Sequence, residues 1–141
     1  MFCRLERCSS GRNFFEAIQI TVNVTGPYII RSQSSFDTYG YFYNNSFDQA
    51  WPMNNLLGQD DESASSYQFL FSFTLNALHR YVVVVTTFYE GSTGRFLILS
   101  RGPGSTTLIR LNTSLFVDSK YKKHPQILFL LKNDFQYDKN G

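Results

Sequence analysis

Cysteine is almost missing from this chain of 141 residues: Cys3 and Cys8 are the two, both within the first eight positions. That excludes a disulfide framework for the remainder. The pair can close one short loop or pair outside the chain. Histidine is equally scarce. His79 and His124 lack ligand spacing, so a structural zinc site with its four ligands is not expected. Charged residues make up 17%, against the usual ~25%, and the net charge of +2 gives no reason to expect a nucleic-acid partner. The cluster Lys120-Tyr121-Lys122-Lys123-His124 reads as a solvated turn. No apolar run approaches the ~20 residues of a membrane-spanning helix. The longest, Ile127 to Leu131, suits a buried strand, so no membrane insertion is expected. Met1 to Cys8 lacks the apolar core of a signal peptide, and an extracellular domain with this start is expected to be a piece of something longer.

What the chain does have is aromatic and β-branched residues. Aromatics reach 17%, with 14 Phe and 9 Tyr, a composition that favours strands. The length suits one domain. Ile18, Ile20, Val22 and Val24 alternate with Gln19, Thr21 and Asn23, the period-two pattern of a half-buried strand. Thr25-Gly26-Pro27 breaks it, and Tyr28 to Ser32 is predicted to return as the second strand of a hairpin. A third strand spans Thr38 to Tyr43, with Tyr39, Tyr41 and Tyr43 on one face and Thr38, Gly40 and Phe42 on the other. A polar loop follows from Asn44 to about Ser66, with a strand stub at Leu56-Leu57. Loops of this length are usually functional or mobile.

Tyr67 to Thr74 places Phe69, Phe71 and Phe73 on one face. Tyr81 to Thr87 is apolar throughout, the mark of a central strand covered on both faces. Arg95 to Ser100 returns from a Gly91–Gly94 turn, and Thr106 to Leu111 follows a stop at Gly102-Pro103-Gly104. No helical stripe exceeds two turns. Short strands at this spacing, separated by Gly and Pro, predict an all-β fold: an antiparallel, jelly-roll-like β-sandwich of seven to eight strands. Its predicted core is Ile18, Ile20, Val22, Phe42, Phe69, Phe71, Val83, Val85, Phe96 and Ile98. Residues 1–13 read as a linker or the end of a preceding module, 14–111 as the sandwich, and 112–141 as a C-terminal extension or the start of a next module.

One succession of segments carries a resemblance. Strand, turn and strand lead to Asp37-Thr38-Tyr39-Gly40-Tyr41-Phe42-Tyr43-Asn44. Asp60-Asp61, Tyr81-Val82-Val83-Val84 and Gly94-Arg95-Phe96-Leu97-Ile98 follow in order. Over about residues 14–102 this resembles the bacterial pre-peptidase C-terminal domain, and more closely the similar modules of large invertebrate extracellular proteins. The resemblance implies a jelly-roll-like sandwich serving as a non-catalytic, accessory domain of a secreted protein. Some relatives beside collagenases bind calcium and collagen. Here Glu62-Ser63-Ala64 stands where glycines usually follow the acidic pair, and Glu6 stands without the N-terminal acidic cluster of the collagen-binding relatives.

Candidate sites follow from residue chemistry. Asp60, Asp61 and Glu62, with Asp48 and loop oxygens such as Asn55, can offer the hard ligands calcium takes; the simpler reading is a solvated acidic loop. Tyr39, Tyr41 and Tyr43, with Trp51 on the adjoining loop, can form a platform that stacks on sugar rings, or pack a sandwich's inner face. Asp37 is expected to close the turn before its strand. Asn23, Asn44 and Asn112 head N-glycosylation sequons. No nucleophile stands beside a base, no carboxylates can flank a glycosidic bond, and no glycine loop cradles phosphate, so no enzyme is expected.

The expected function is a non-catalytic extracellular or cell-surface module for adhesion, carbohydrate or matrix binding. Its expected partners are a glycan or matrix protein and neighbouring domains of a longer chain. It needs no cofactor, unless calcium binds. The alternative is a spacer or folding-aid domain accessory to a secreted hydrolase.

Overall fold

The computed structural model describes residues 13–111 and the backbone of 129–131. Among the described residues there is no helix. The strands are β1 (Phe15–Val22), β2 (Gly26–Ser34), β3 (Thr38–Asn44), β4 (Leu56–Asp60), β5 (Leu70–Leu75), β6 (Tyr81–Thr87), β7 (Phe96–Arg101) and β8 (Thr106–Arg110), with a short β9 (Phe129–Leu131). They form two sheets, ordered β4-β3-β6-β1-β8 and β5-β2-β7-β9. All pairings are antiparallel except β7 with β9. The antiparallel pairs β1/β8, β2/β7 and β3/β6 are nested in sequence. That nesting is the wrapped-hairpin logic of a jelly-roll-like sandwich.

The hairpin expected between β1 and β2 does not form. β1 lies between β6 and β8, and β2 lies between β5 and β7 in the other sheet. The turn at residues 23–25 therefore crosses the sandwich. Tyr28 fixes that crossing: its hydroxyl donates to Val24 O (2.6 Å) and accepts from Gly104 N (3.1 Å). A side chain at Gly102 would collide with the Tyr28 ring, since a Cβ there lies 2.0 Å from its nearest atom.

Between the sheets lies the main core. It contains every residue named for it from the sequence, together with Tyr28, Ile30, Leu75, Tyr81 and Leu108. Phe42 stacks against Phe73 and Tyr81 there. The outer face of the second sheet is wet: along β2, Tyr28, Ile30 and Ser32 point inward while Pro27, Ile29, Arg31 and Gln33 are exposed. The five-stranded sheet differs. Its outer face holds a second apolar cluster of Ala17, Tyr39, Tyr41, Tyr43, Val82 and Val84, bordered by Phe15, Phe47, Leu56, Phe88 and Leu111. This accounts for β6, which is buried at all seven positions in the middle of its sheet. Val83 and Val85 face one core while Val82 and Val84 face the other, so both parities are apolar.

Several polar groups inside this frame are paired. The Ser32 hydroxyl shares a hydrogen with Thr38 (2.7 Å) and accepts from Phe69 N (3.1 Å). Gln68 Nε2 lies 2.8 Å from Phe36 O, 3.0 Å from Tyr67 O and 3.1 Å from Ser66 O. It thereby braces a turn in which Ser66 and Tyr67 both take positive φ (62° and 58°), a conformation unfavourable for residues with a Cβ. Glu16 and Arg110 form a bidentate ion pair joining β1 to β8. In the turn into β3 the Ser34 hydroxyl donates to Phe36 O and accepts from Phe36 N.

Candidate functional site at one end of the sandwich

Antiparallel registers sort the loops into two groups. Loops 23–25, 45–55, 76–80 and 102–105 gather at a first pole, and loops 35–37, 61–69 and 88–95 at the second. The long segment 44–66 is thus two loops separated by β4, not one. The sequence of β4, Leu56-Leu57-Gly58-Gln59-Asp60, carries no apolar–polar alternation although its burial alternates, and the strand exists because the exposed edge of β3 offers it a ladder.

The first-pole loop 45–55 is closed at its neck by Asn44 N donating to Asn55 O (2.8 Å). Asn55 Nδ2 donates to the Ser46 hydroxyl (3.1 Å), and Asp48 Oδ1 accepts from Ala50 N (2.8 Å). Phe47 is half-buried against Tyr43 and Phe15. The Tyr43 hydroxyl donates to Pro52 O (2.9 Å). Burial, reinforced by the neighbouring Tyr41, holds the Tyr43 phenol well above its ordinary pKa. On this fastened loop Trp51 and Met53 are displayed to solvent, 67% and 66% exposed. Backbone bonds from Trp51 N to Asp48 O (3.1 Å) and from Asn54 N to Trp51 O (3.0 Å) shape the turn that carries the indole. Exposed Trp of this kind is unusual, because Trp is highly buried on average.

Beside this loop lies an open groove of about 490 Å³, lined by Gln19, Thr21, Asn44, Asn45 and the segment Ala77–Arg80. Gln19 and Thr21 belong to the outward face of β1, where the tyrosine cluster gives way to polar residues. Loop 76–80 is fixed by Asn76 N donating to the Tyr81 hydroxyl (2.9 Å) and Ala77 N donating to Thr25 Oγ1 (3.0 Å). Asn45, with φ 66°, and Arg80 clasp each other. Asn45 N donates to Arg80 O (2.9 Å), and Arg80 Nε donates to Asn45 Oδ1 (2.9 Å). Amides, a hydroxyl and a guanidinium thus converge on one concavity, a set suited to hydrogen-bonding a polyhydroxylated ligand.

The sequence-based candidates divide unevenly over this geometry. Trp51 is at the pole and exposed. Tyr39, Tyr41 and Tyr43 are 4%, 0% and 0% exposed, and Tyr39 and Tyr41 stack on each other at 5.0 Å. They build the outer-face cluster and offer no open platform, nor do they face the other sheet. Asp48 lies at the first pole, whereas Asp60, Asp61 and Glu62 lie at the end of β4 towards the second. The Asp60 carboxylate is occupied by Ser63 N (3.1 Å), the Ser63 hydroxyl (2.7 Å) and Leu70 N (2.8 Å), closing the loop into β5. Among the described residues, no group of three or more His, Cys, Asp or Glu side chains could hold a metal ion.

Asn23 and Asn44 are both exposed at the first pole. Asn23 Oδ1 accepts from Ser105 N (2.6 Å), and Asn44 lines the groove. Asn112, Cys3, Cys8 and His124 lie outside the described residues. Sequence reasoning missed Gln19, Thr21, Asn45 and Arg80 as a group. They stand on three separate segments, and the one local signal was the Asn-Asn pair, a frequent host of positive φ. No family model, curated protein or solved structure matches this chain.

Proposed function

We propose that this chain is a non-catalytic extracellular module that binds glycan through its first pole and serves adhesion within a larger secreted or cell-surface protein. The observation that carries this reading is Trp51, exposed to solvent on a fastened loop that borders a groove of amide, hydroxyl and guanidinium groups. Flat indole faces stack on the C–H faces of sugars, while amides exchange hydrogen bonds with their hydroxyls. Rigid loops keep the ordering cost of binding low. The resemblance to accessory domains of secreted proteins supports the non-catalytic role, and exposed sequons at Asn23 and Asn44 support the compartment.

A glycan array probed with the full chain and with Trp51→Ala tests the proposal. Binding to a defined set of glycans, lost in the variant while its melting temperature is unchanged, is the expected result. An array with no signal, or one on which Trp51→Ala behaves as the parent does, refutes it.

A further inference from the structure

We infer that the groove selects a sugar bearing a carboxylate, held by Arg80; this rests on the glycan reading above. Three observations lead there. Among the lining residues no carboxylate occurs, and the one permanently charged side chain is Arg80. The acids among the described residues are also segregated: Glu16, Asp37, Asp60, Asp61, Glu62 and Glu90 lie towards the second pole. Among the described residues Asp48 is the carboxylate left at the first, where Arg80 and Arg101 stand. An anionic ligand therefore approaches the end with the least repulsion.

The third observation is the clasp. Asn45 accepts from Nε alone, one of the five N–H donors of a guanidinium. The four donors on Nη1 and Nη2 remain for a planar acceptor, and the clasp fixes the plane they lie in. A carboxylate matches that fork with two parallel hydrogen bonds. Arginine without such a brace would lose rotamer freedom on binding, and the brace removes part of that cost. Asn45 takes the left-handed conformation that places its side chain for this task. Gln19, Asn44 and Thr21 are then left for ring hydroxyls.

The test compares two probes on the full chain by calorimetry: an oligosaccharide of alternating glucuronic acid and N-acetylglucosamine, and its carboxyl-reduced form. A sialylated glycan and its desialylated partner form a second pair. The expected result is at least tenfold tighter binding of the acidic member of one pair. Arg80→Gln should abolish the difference, and Asn45→Gly, which tolerates the backbone but removes the side-chain bond to Arg80 Nε, should reduce it several-fold. Acidic binding should also weaken as salt is raised, since the pair is exposed.

Equal affinity for acidic and neutral members, or a preference that survives Arg80→Gln, overturns the inference. If acidic and neutral glycans bind equally and Trp51→Ala abolishes that binding, the glycan reading stands and the carboxylate assignment falls. If neither class binds, both fall. The parent's comparison of acidic with reduced sugar needs no variant, so a poorly folded mutant leaves the test intact.

Discussion

Gly40 sits on the inward face of β3, and a methyl group there has no room. An ideal Cβ would lie 2.6, 2.7 and 2.9 Å from three atoms of the Phe69 ring. Phe69 cannot easily withdraw. It is fully buried, its N–H donates to the Ser32 hydroxyl and its carbonyl accepts from Ser32 N, and Phe71 packs beside it at 5.4 Å. Overpacking a rigid core costs about 1–3 kcal/mol, and a site pinned on this many sides belongs at the upper end. Replacing glycine also removes freedom from the unfolded chain, which returns about 0.4–1 kcal/mol where the new residue fits.

Gly40→Ala should therefore cost about 2 kcal/mol net and lower the melting temperature by about 8–16 °C for a domain of this size. Gly58→Ala is the matched control on the neighbouring strand. Its Cβ would meet Phe73 Cζ at 3.3 Å, the far tip of a half-buried ring that can tilt away, so the change should be near neutral. Urea unfolding of both variants, followed by circular dichroism, gives the two free energies. Phe69→Leu in the Gly40→Ala background should recover at least 1 kcal/mol relative to additivity, because the two sites touch. A Gly40→Ala protein as stable as the Gly58→Ala protein, or a strictly additive double variant, would refute the packing argument.

Four further outcomes follow from the structure. Tyr43 has a folded pKa raised above its unfolded value by burial and by Tyr41, so its stabilising effect is complete below pH ~10 and is lost as pH rises beyond it. Stability should fall by up to ~1.4 kcal/mol per pH unit above 10, and Tyr43→Phe should flatten that slope in alkaline melts. Gln68→Leu removes the amide bracing Phe36 O, Ser66 O and Tyr67 O. It should cost about 2–3 kcal/mol and speed hydrogen exchange in loop 61–69. Asp60→Ala strips three hydrogen bonds from the entrance to β5 and should cost about 1–2 kcal/mol, equally with and without a calcium chelator in melting experiments. Expression in secretory cells should place a glycan on Asn23, which is exposed and outside the groove; Asn23→Gln should remove it, checked by mass spectrometry.

Much of the fold was legible because side-chain parity along a strand is a local property. Alternation over Ile18–Val22, the apolar run of β6 and the Phe69–Phe71–Phe73 series located strands and led to ten core residues, all of which lie between the sheets. The Tyr39–Tyr41–Tyr43 row was equally visible as one face of β3. Its assignment was not: period two separates two faces of a strand without saying which one looks at the other sheet. Phe42, on the opposite parity, took the inner position, and Phe47, Phe88 and Leu111 from distant segments border the tyrosines.

The chain by itself therefore determined its strand content, the two-face parity of each strand and, with Cys3 and Cys8 its only cysteines, the absence of a disulfide framework from most of its length. Tertiary structure alone decided that β1 and β2 part into different sheets, that the stub at Leu56-Leu57 extends to Asp60 as β4 on the edge of β3, and that Trp51 and the Asp60–Glu62 acids end at opposite poles. It also brought Asn45 to Arg80 across 35 positions. Long-range pairing makes these choices. A strand's neighbours are set by hydrogen-bond ladders and packing between segments far apart in sequence, and no window of a few residues contains them.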